Sequence, residues 1–367
     1  MDTKRNYNVD LFRIIAAFLV TVLHVLGQGG ILKNTSPGGI NYWIAWFLEI
    51  CAYCAVNCFA LISGYVLVNK TVKAKNILGL WFQVLFYSLL FTGLFFAFLP
   101  ESRSIKNLVV AVMPILGKQW WYVSSYVALC FFIPFLNKAI HTISQQTYQK
   151  ILLLILLVIC CADCVLPLDA FSLNDGYSVI WLMIVYLFGA YIRKYDICEK
   201  ITSLKCIVGF FAMIILTFVS KITIRFLTKS VFGQAKFEDT FISYISITIL
   251  LSAVFLFLLC LKIKINSLAS KFSCFVSPAA LGVYLIHVHP LVFKFLIKDA
   301  FVWVATESPV TMILCVTVAS LAIFVLCTVI ELLRIRIFKL IKVSKLSEFI
   351  ARKINHVYLK VFKMKRK

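Results

Sequence analysis

The sequence predicts an all-α polytopic membrane protein with about ten transmembrane helices and both termini in the cytoplasm. Of its 367 residues, 62% are hydrophobic and only 14% are charged, whereas soluble domains carry about 25% charged residues. Apolar runs long enough to cross about 30 Å of hydrocarbon recur along the whole chain. These observations exclude a soluble globular protein.

Ten apolar runs have the length of a membrane span. They are residues 10–28, 42–66, 77–99, 119–137, 150–166, 177–193, 204–221, 240–262, 278–298 and 309–333. The fourth, seventh and ninth runs are the least clean, because polar or basic residues lie within them or near their ends. The connecting loops are too short to form a soluble catalytic domain, so any reaction has to take place within the helical bundle. Residues 1–335 are therefore predicted to form one transmembrane domain.

The distribution of positive charge predicts the orientation. The chain has 37 Lys and Arg against 15 Asp and Glu, a formal net charge of +22. On a topology with both termini inside, 27 of the 37 cations lie on the cytoplasmic side, as the positive-inside rule requires. This pattern indicates an anionic membrane surface, not nucleic acid, as the partner of the charge. The loop at 221–236, with four cations outside, is the exception; it indicates either an anionic partner there or a misplaced span.

The C-terminal segment, residues 336–367, combines many Lys and Arg with apolar residues at roughly helical spacing. Such a basic amphipathic helix is expected to lie on the cytoplasmic leaflet as an anchor. The 13 cysteines lie mostly in apolar runs without His partners at metal-ligand spacing. They are interpreted as small buried hydrophobic residues, and no metal site is predicted.

The first apolar run carries two cations, Arg13 and His24. Eleven residues of α-helix rotate by about 1100°, which is three turns plus about 20°, and advance about 16 Å. The two side chains therefore share one helical face. Ionisable residues inside a membrane are costly, and their presence favours a functional role. The alternatives are that Arg13 extends to the headgroups as an anchor and that His24 is a hydrogen-bonded structural residue.

The second run contains Glu49 and Ser63, fourteen residues apart and close to one helical face. On the predicted topology Glu49 lies at the depth of His24. A carboxylate beside an imidazole can fix its tautomer and raise its basicity, as general-base catalysis requires. Glu49 is therefore expected to orient His24; the alternatives are a pair with a lysine or a protonated carboxyl.

Three further segments supply candidate residues. The loop after the second run carries Lys70 and Lys73, which can bind a cytosolic phosphate or serve only as positive-inside anchors. In the ninth run, the string LGVYLIHVHP places Tyr284 and His287 one turn apart, before a proline that kinks or ends the helix. Trp121 belongs to an aromatic belt that opens the fourth run.

Taken together, these strings resemble the acyltransferase-3 family of integral-membrane acyltransferases, which includes O-acetyltransferases of exopolysaccharide and O-antigen. The matching elements are the spacing of Arg13 and His24, the string ALISGY at 60–65, the Trp-rich start of the fourth run with its later IPFLN, and YLIH at 284–287. The resemblance covers about residues 8–335. Their order and spacing across ten helices make the resemblance fairly specific.

The resemblance implies transfer of an acyl group, commonly acetyl, from cytosolic acyl-CoA to a hydroxyl of a glycan or other acceptor. Acyl-CoA is then a substrate, and no bound cofactor is expected. Activity in the family is assigned to the arginine and histidine that correspond to Arg13 and His24. Two arginines spaced RxxR usually serve the donor, but this chain has Lys70 and Lys73 in their place. Lysine keeps the charge and loses the bidentate geometry of arginine.

The resulting hypothesis is an acyl relay across the membrane. Lys70, Lys73 and Arg13 would hold the donor, and His24 would act as general base or acyl carrier. Glu49 would orient His24, and the path would be lined by Tyr284, His287, Ser63 and Trp121. A bacterial plasma membrane is the expected location, and a separate extracytoplasmic transferase is a candidate partner. The rival hypothesis is a proton-coupled transporter or flippase of a lipid-linked glycan, with His24, Glu49 and His287 as a proton relay.

Overall fold

The computed structural model describes residues 5–165 and 169–364. Within these ranges the secondary structure is entirely helical. The α-helices are α1 (Tyr7–Leu26), α2 (Ile31–Asn34), α3 (Ile40–Tyr53), α4 (Ala55–Leu67), α5 (Ala74–Phe98), α6 (Ile105–Val112), α7 (Trp121–Thr142), α8 (Gln145–Leu154), α9 (Cys161–Val165), α10 (Val179–Lys194), α11 (Ile197–Lys200), α12 (Ser203–Phe232), α13 (Ile247–Lys262), α14 (Ser267–Val276), α15 (Ala280–His287), α16 (Pro290–Val292), α17 (Pro309–Leu340) and α18 (Val343–Met364). Short 3₁₀ or π segments lie at Pro100–Ser102, Ile155–Cys160, Asn174–Gly176, Ser277–Ala279, Phe293–Ile297 and Val302–Thr306.

Seven helical segments of the described chain are long and apolar enough to cross a membrane. They are Tyr7–Asn34, Ile40–Leu67, Ala74–Phe98, Trp121–Thr142, Ser203–Phe232, Ser267–His287 and Pro309–Leu340. Two shorter apolar helices, Gln145–Cys160 and Ile247–Lys262, lie between them in the sequence. The protein is thus an all-helical, multi-pass membrane protein. The count of ten spans and the side on which the termini lie stay predictions.

Several of the predicted runs differ from the observed helices, among them the seventh and the ninth. The seventh run was expected to end at residue 221, but α12 continues to Phe232. The ninth run is not one helix: α15 ends at His287 and Pro290 opens the short α16. Proline lacks the N–H that a continuing helix needs and is well suited to the first helical position, so the chain restarts there.

Helix α1 lies at the centre of the bundle. It begins after Asn6, whose side-chain oxygen accepts hydrogen bonds from the backbone N–H groups of Asn8 and Val9. Its sides contact α3, α4, α13, α15 and α17. We call the end of the bundle where α1 begins the basal end, which the charge distribution predicts to be cytoplasmic, and the opposite end the distal end. This central position explains why its polar residues face protein and not lipid.

Helices α4 and α10 approach so closely that glycines are required on both. A Cβ on Gly64 would lie 2.0 Å from the carbonyl oxygen of Tyr186, and a Cβ on Gly189 would lie 2.1 Å from that of Leu61. Small residues that allow close backbone approach are typical of helix pairs in membranes. The glycine of the ALISGY string therefore has a packing role, and it fixes the helix that carries Ser63.

We expect Gly64→Ala to destabilise the fold by about 3 kcal/mol or more, because backbone cannot yield to the added methyl group as a flexible side chain can. Gly93→Ala on α5 is the matched control, since nothing lies within 4 Å of its Cβ position. Removal of a helical glycine there is expected to stabilise by up to about 1 kcal/mol. Thermal unfolding of the detergent-purified variants measures both. Equal midpoints for the two variants would contradict the packing role of Gly64.

Two amides, the buried Asn57 and the half-buried Asn137, connect further segments to this pair. Asn57 donates to the carbonyl of Tyr244 at 2.9 Å and accepts from the indole of Trp181 at 2.8 Å. Asn137, in the IPFLN string, donates to the carbonyl of Leu67 at 2.8 Å and accepts from the hydroxyl of Tyr186 at 2.7 Å. A buried amide with satisfied partners fixes the register of its neighbours.

The exceptional cations of the 221–236 segment are partly neutralised within the protein. Lys221 is fully buried, contacts Glu238 and Asp239, and lies 3.6 Å from the ring centre of Trp46. Arg225 binds Glu238 at 2.7 Å. Burial alone would raise the pKa of the Glu238 carboxyl, but hydrogen bonds from Tyr42 and Arg225 lower it below its ordinary value. These contacts remove the need for an external anion at the two positions.

The C-terminal segment forms α18, which packs on α5. Its Glu348 accepts from Lys75 at 2.5 Å, and this ammonium lowers the pKa of the carboxyl. The helix begins at Val343, later than the predicted segment 336–367, because α17 extends to Leu340. Residues 365–367 of that segment lie outside the described residues.

Candidate functional site

A carboxylate between two guanidinium groups organises the basal end. Asp10 is 3% exposed; it accepts from Arg13 at 3.0 Å and from Arg5 at 2.5 Å. Arg5 also reaches the hydroxyl of Ser277 at 3.3 Å, which joins α1 to the segment before α15. Two cations on one anion leave an excess positive charge, which can bind an anionic ligand.

This excess charge lies on a basal cavity of about 460 Å³. Among the residues that the structure describes, four cationic side chains line it: Arg5, Arg13, Lys70 and Arg193. Asp10 is the one acid among these described lining residues. Arg193 also lies over the ring of Tyr65, 5.3 Å from its centre. The composition fits an anionic ligand with more than one charge.

Two further cavities continue from the basal cavity toward His24. The middle cavity, also about 460 Å³, shares Arg5, Arg13 and Val66 with the basal cavity and is otherwise mostly apolar. The inner cavity, about 120 Å³, contains His24 in its lining. The middle and inner cavities share Phe59, Tyr122, Ala280 and Leu281. The three cavities therefore form a path from the guanidinium groups of Arg5 and Arg13 to the imidazole of His24. This path follows the face of α1 that carries Arg13 and His24, as the sequence predicted.

His24 pairs with His287 across the bundle. Nδ1 of His24 lies 2.8 Å from Nε2 of His287, and Nδ1 of His287 lies 2.5 Å from the carbonyl oxygen of Val283. Phe293 packs against the His24 ring at 5.4 Å between ring centres. His287 is fully buried, whereas His24 is only partly buried and lines the inner cavity.

These contacts fix the tautomers of two neutral rings. A carbonyl only accepts, so Nδ1 of His287 carries its proton and Nε2 has the lone pair. That lone pair accepts from Nδ1–H of His24. The unprotonated nitrogen of His24 is then Nε2, which no protein hydrogen bond in the described chain occupies. The arrangement provides an oriented base.

Aromatic rings form the distal wall of the inner cavity. Trp121 lies 4.6 Å from Tyr177 and 6.4 Å from Tyr244 between ring centres. Tyr177 is 41% exposed, so this wall reaches the surface. Flat aromatic faces with few polar groups are typical of small-ligand sites.

Most of the predicted site residues lie at the three connected cavities. Arg13, Lys70, Ser63, Tyr284 and Trp121 all line one of the connected cavities, and His287 supports His24 from behind.

Glu49 and Lys73 are not brought to the site as expected. Glu49 is buried near Gly27, and its Oε2 has no hydrogen-bond partner in the described part of the chain. The structure gives His24 a different partner, because α15 and not α3 presents a group to Nδ1. Lys73 precedes α5 as its cap residue and lines none of the three cavities.

Sequence reasoning missed Arg5 and Arg193 on the basal cavity and Tyr177 and Tyr244 on the inner one. The two arginines were counted only as positive-inside charge. Arg193 closes the sixth run and Arg5 lies five residues before the first run, and these positions at run ends predicted to be cytoplasmic were the available signal. The two tyrosines come from segments that nothing in the sequence places together.

Comparison with known protein families places the chain in a family. A family model described as an acyltransferase domain matches residues 6–329, most of the chain. The chain belongs to the acyltransferase-3 family. All the cavity residues named above except Arg5 lie within the matched range. No curated protein and no solved structure matches the chain. This acyltransferase-3 protein is therefore a membrane acyltransferase, and the connected cavities are the candidate site of the transfer.

Proposed function

We propose that this acyltransferase moves an acyl group, most simply acetyl, from acyl-CoA at the basal end to a hydroxyl of a cell-surface or lipid-linked glycan. The observation that carries the proposal is the lined path from Arg13 to His24 through three cavities that share residues. A charged headpiece and a long, uncharged arm with a thioester at its tip match the order of these cavities, cationic first and mostly apolar next.

The basal cavity is proposed to hold the phosphates of the donor. Arg5, Arg13 and Arg193 offer guanidinium groups, which bind phosphate with paired N–H donors. Lys70 adds a point charge. Three arginines here compensate for the lysines that stand at 70 and 73 in place of the usual arginines, so Lys73 is not needed for donor binding.

The chemistry is proposed to centre on Nε2 of His24. This nitrogen takes the proton of the acceptor hydroxyl as the oxygen attacks the acyl carbon, which is general-base catalysis. His287 acts as a positioning residue, because its lone pair holds the proton of His24 on Nδ1. The aromatic wall of Trp121, Tyr177 and Tyr244 suits the C–H faces of a sugar ring, and the exposure of Tyr177 gives the acceptor an entrance.

The test of this function uses labelled acetyl-CoA and inside-out membrane vesicles from the natural host. In our proposal the host is a bacterium and the vesicles come from its plasma membrane. We expect the label to enter glycan only when the protein is present, and to fall strongly when Arg13→Gln raises the KM for acetyl-CoA. Lys73→Gln is the matched control, because Lys73 lines none of the cavities. Uptake of labelled solute without any covalent incorporation would favour the transporter instead. If purified protein needs an added extract to finish the transfer, a separate extracytoplasmic transferase takes part.

A further inference from the structure

Two tyrosine hydroxyls at the inner cavity make no hydrogen bond within the described chain. Tyr122 of α7 and Tyr284 of α15 both line the cavity that contains His24. Both hydroxyl oxygens are shielded from solvent and have no hydrogen-bond partner in the described part of the chain. Nearly all buried polar groups in native proteins are paired, so an unpaired one calls for an explanation.

The two tyrosine rings lie close together beside the path that leads to His24. Their centres are 6.3 Å apart with the ring planes near perpendicular, so two different helices bring the hydroxyl-bearing side chains together. The backbone N–H of Tyr122 lies near the Tyr284 oxygen but outside hydrogen-bond geometry. Tyr122 also lines the middle cavity, which places it where an acyl group passing toward His24 would arrive.

We propose that the hydroxyls of Tyr122 and Tyr284 form the oxyanion-binding site of the transfer, donating hydrogen bonds to the carbonyl oxygen of the acyl thioester. The proposal rests on the proposed function. Preorganised donors that wait for developing negative charge are a main source of catalysis in acyl transfer. A hydroxyl that makes no hydrogen bond in the resting enzyme has none to break when it donates to the substrate.

The transfer proceeds through a tetrahedral intermediate. The acceptor oxygen forms a C–O bond with the acyl carbon, and its proton passes to Nε2 of His24. The electron pair of the C=O bond moves onto oxygen, where Tyr122 and Tyr284 stabilise it. When the C=O bond re-forms, the C–S bond breaks, and the CoA thiolate takes the proton from His24. Both tyrosines keep their protons throughout.

The test compares Tyr122→Phe, Tyr284→Phe and the double variant in inside-out vesicles with labelled acetyl-CoA and the native acceptor. Loss of one oxyanion donor typically lowers kcat by about 10²–10³-fold. We expect each variant to lose about 10²-fold in maximal rate, with the KM for acetyl-CoA within about twofold of the wild type. Thermal unfolding midpoints should be equal or higher, because an unpaired buried hydroxyl is removed.

Tyr195→Phe is the matched control. Its hydroxyl is also buried and has no hydrogen-bond partner among the described residues, but Tyr195 lines none of the three cavities. We expect this variant to keep the wild-type rate. If Tyr122→Phe and Tyr284→Phe keep the rate of Tyr195→Phe while His24→Ala is inactive, the oxyanion proposal is overturned and the proposed function stands. If His24→Ala is active as well, the proposed function itself fails. Lower midpoints in both tyrosine variants would show a structural role and would also overturn the proposal.

Discussion

Replacing His24 by alanine is expected to lower acyl transfer by at least about 10³-fold while leaving the protein level and fold intact. General-base catalysis contributes about 10²–10⁴-fold, and the other titratable side chains that line the inner cavity in the described chain are tyrosines. The measurement is incorporation of labelled acetyl into glycan, normalised to purified protein. His141→Ala is the control, because His141 lies at the basal end and donates only to the carbonyl of Val68.

The His24→Asn variant distinguishes a catalytic role of His24 from a structural one. The asparagine amide can donate to His287 from near the position of Nδ1, but it has nothing at the position of Nε2. We therefore expect His24→Asn to be as inactive as His24→Ala, even though the contact between α1 and α15 is retained. Substantial activity in the asparagine variant alone would mean that His24 serves as a structural tie and not as the base.

The path along α1 could be predicted because it depends on one helix. The 100° rotation per residue places Arg13 and His24 on one face whatever surrounds them, and both side chains line the connected cavities. Arg13 lies toward the basal end because it is near the start of α1; that this end is cytoplasmic stays a prediction from the charge distribution. The strings shared with the family likewise predicted residues of the site, including Tyr284 and Trp121.

The partner of His24 could not be predicted because it depends on how helices pack. Glu49 was chosen from its depth in the membrane, which fixes one coordinate only. The helix that reaches Nδ1 is α15, and its position is set by Gly282, whose Cβ would lie 2.3 Å from Cγ of Glu331 on α17. No periodicity within the ninth run reveals this contact. The break of that run at Pro290 was foreseen only as a choice between a kink and an end.

The cationic residues of the basal cavity could also be predicted only in part, because they come from different helices. The sequence emphasised Lys70 and Lys73 because they lie together in one loop, yet only Lys70 lines the basal cavity. Arg5 and Arg193 reach it from the ends of α1 and α10. Residues from distant parts of the chain converge there because α4 and α10 pack through Gly64 and Gly189.

Replacing His287 by leucine is expected to lower the maximal rate by about 10²–10³-fold with little change in the KM for acetyl-CoA. Without the acceptor at Nε2 of His287, His24 is free to carry its proton on either nitrogen and to turn in the cavity. Loss of the residue that fixes the tautomer of a catalytic histidine has a comparable or larger effect in the serine protease triad. The rate, the KM and the thermal midpoint are measured on the same membrane preparations.

His287→Gln distinguishes orientation from simple packing. The glutamine oxygen can accept from Nδ1–H of His24, so we expect it to recover a large part of the rate that leucine loses, although leucine fills the apolar surroundings equally well. His289→Gln is the control for loss of a neighbouring buried imidazole, since His289 bonds Gln119 at 2.9 Å and lines none of the three cavities. Equal rates for the leucine and glutamine variants would contradict the positioning role, because only one of them can hold the proton of His24 away from Nε2.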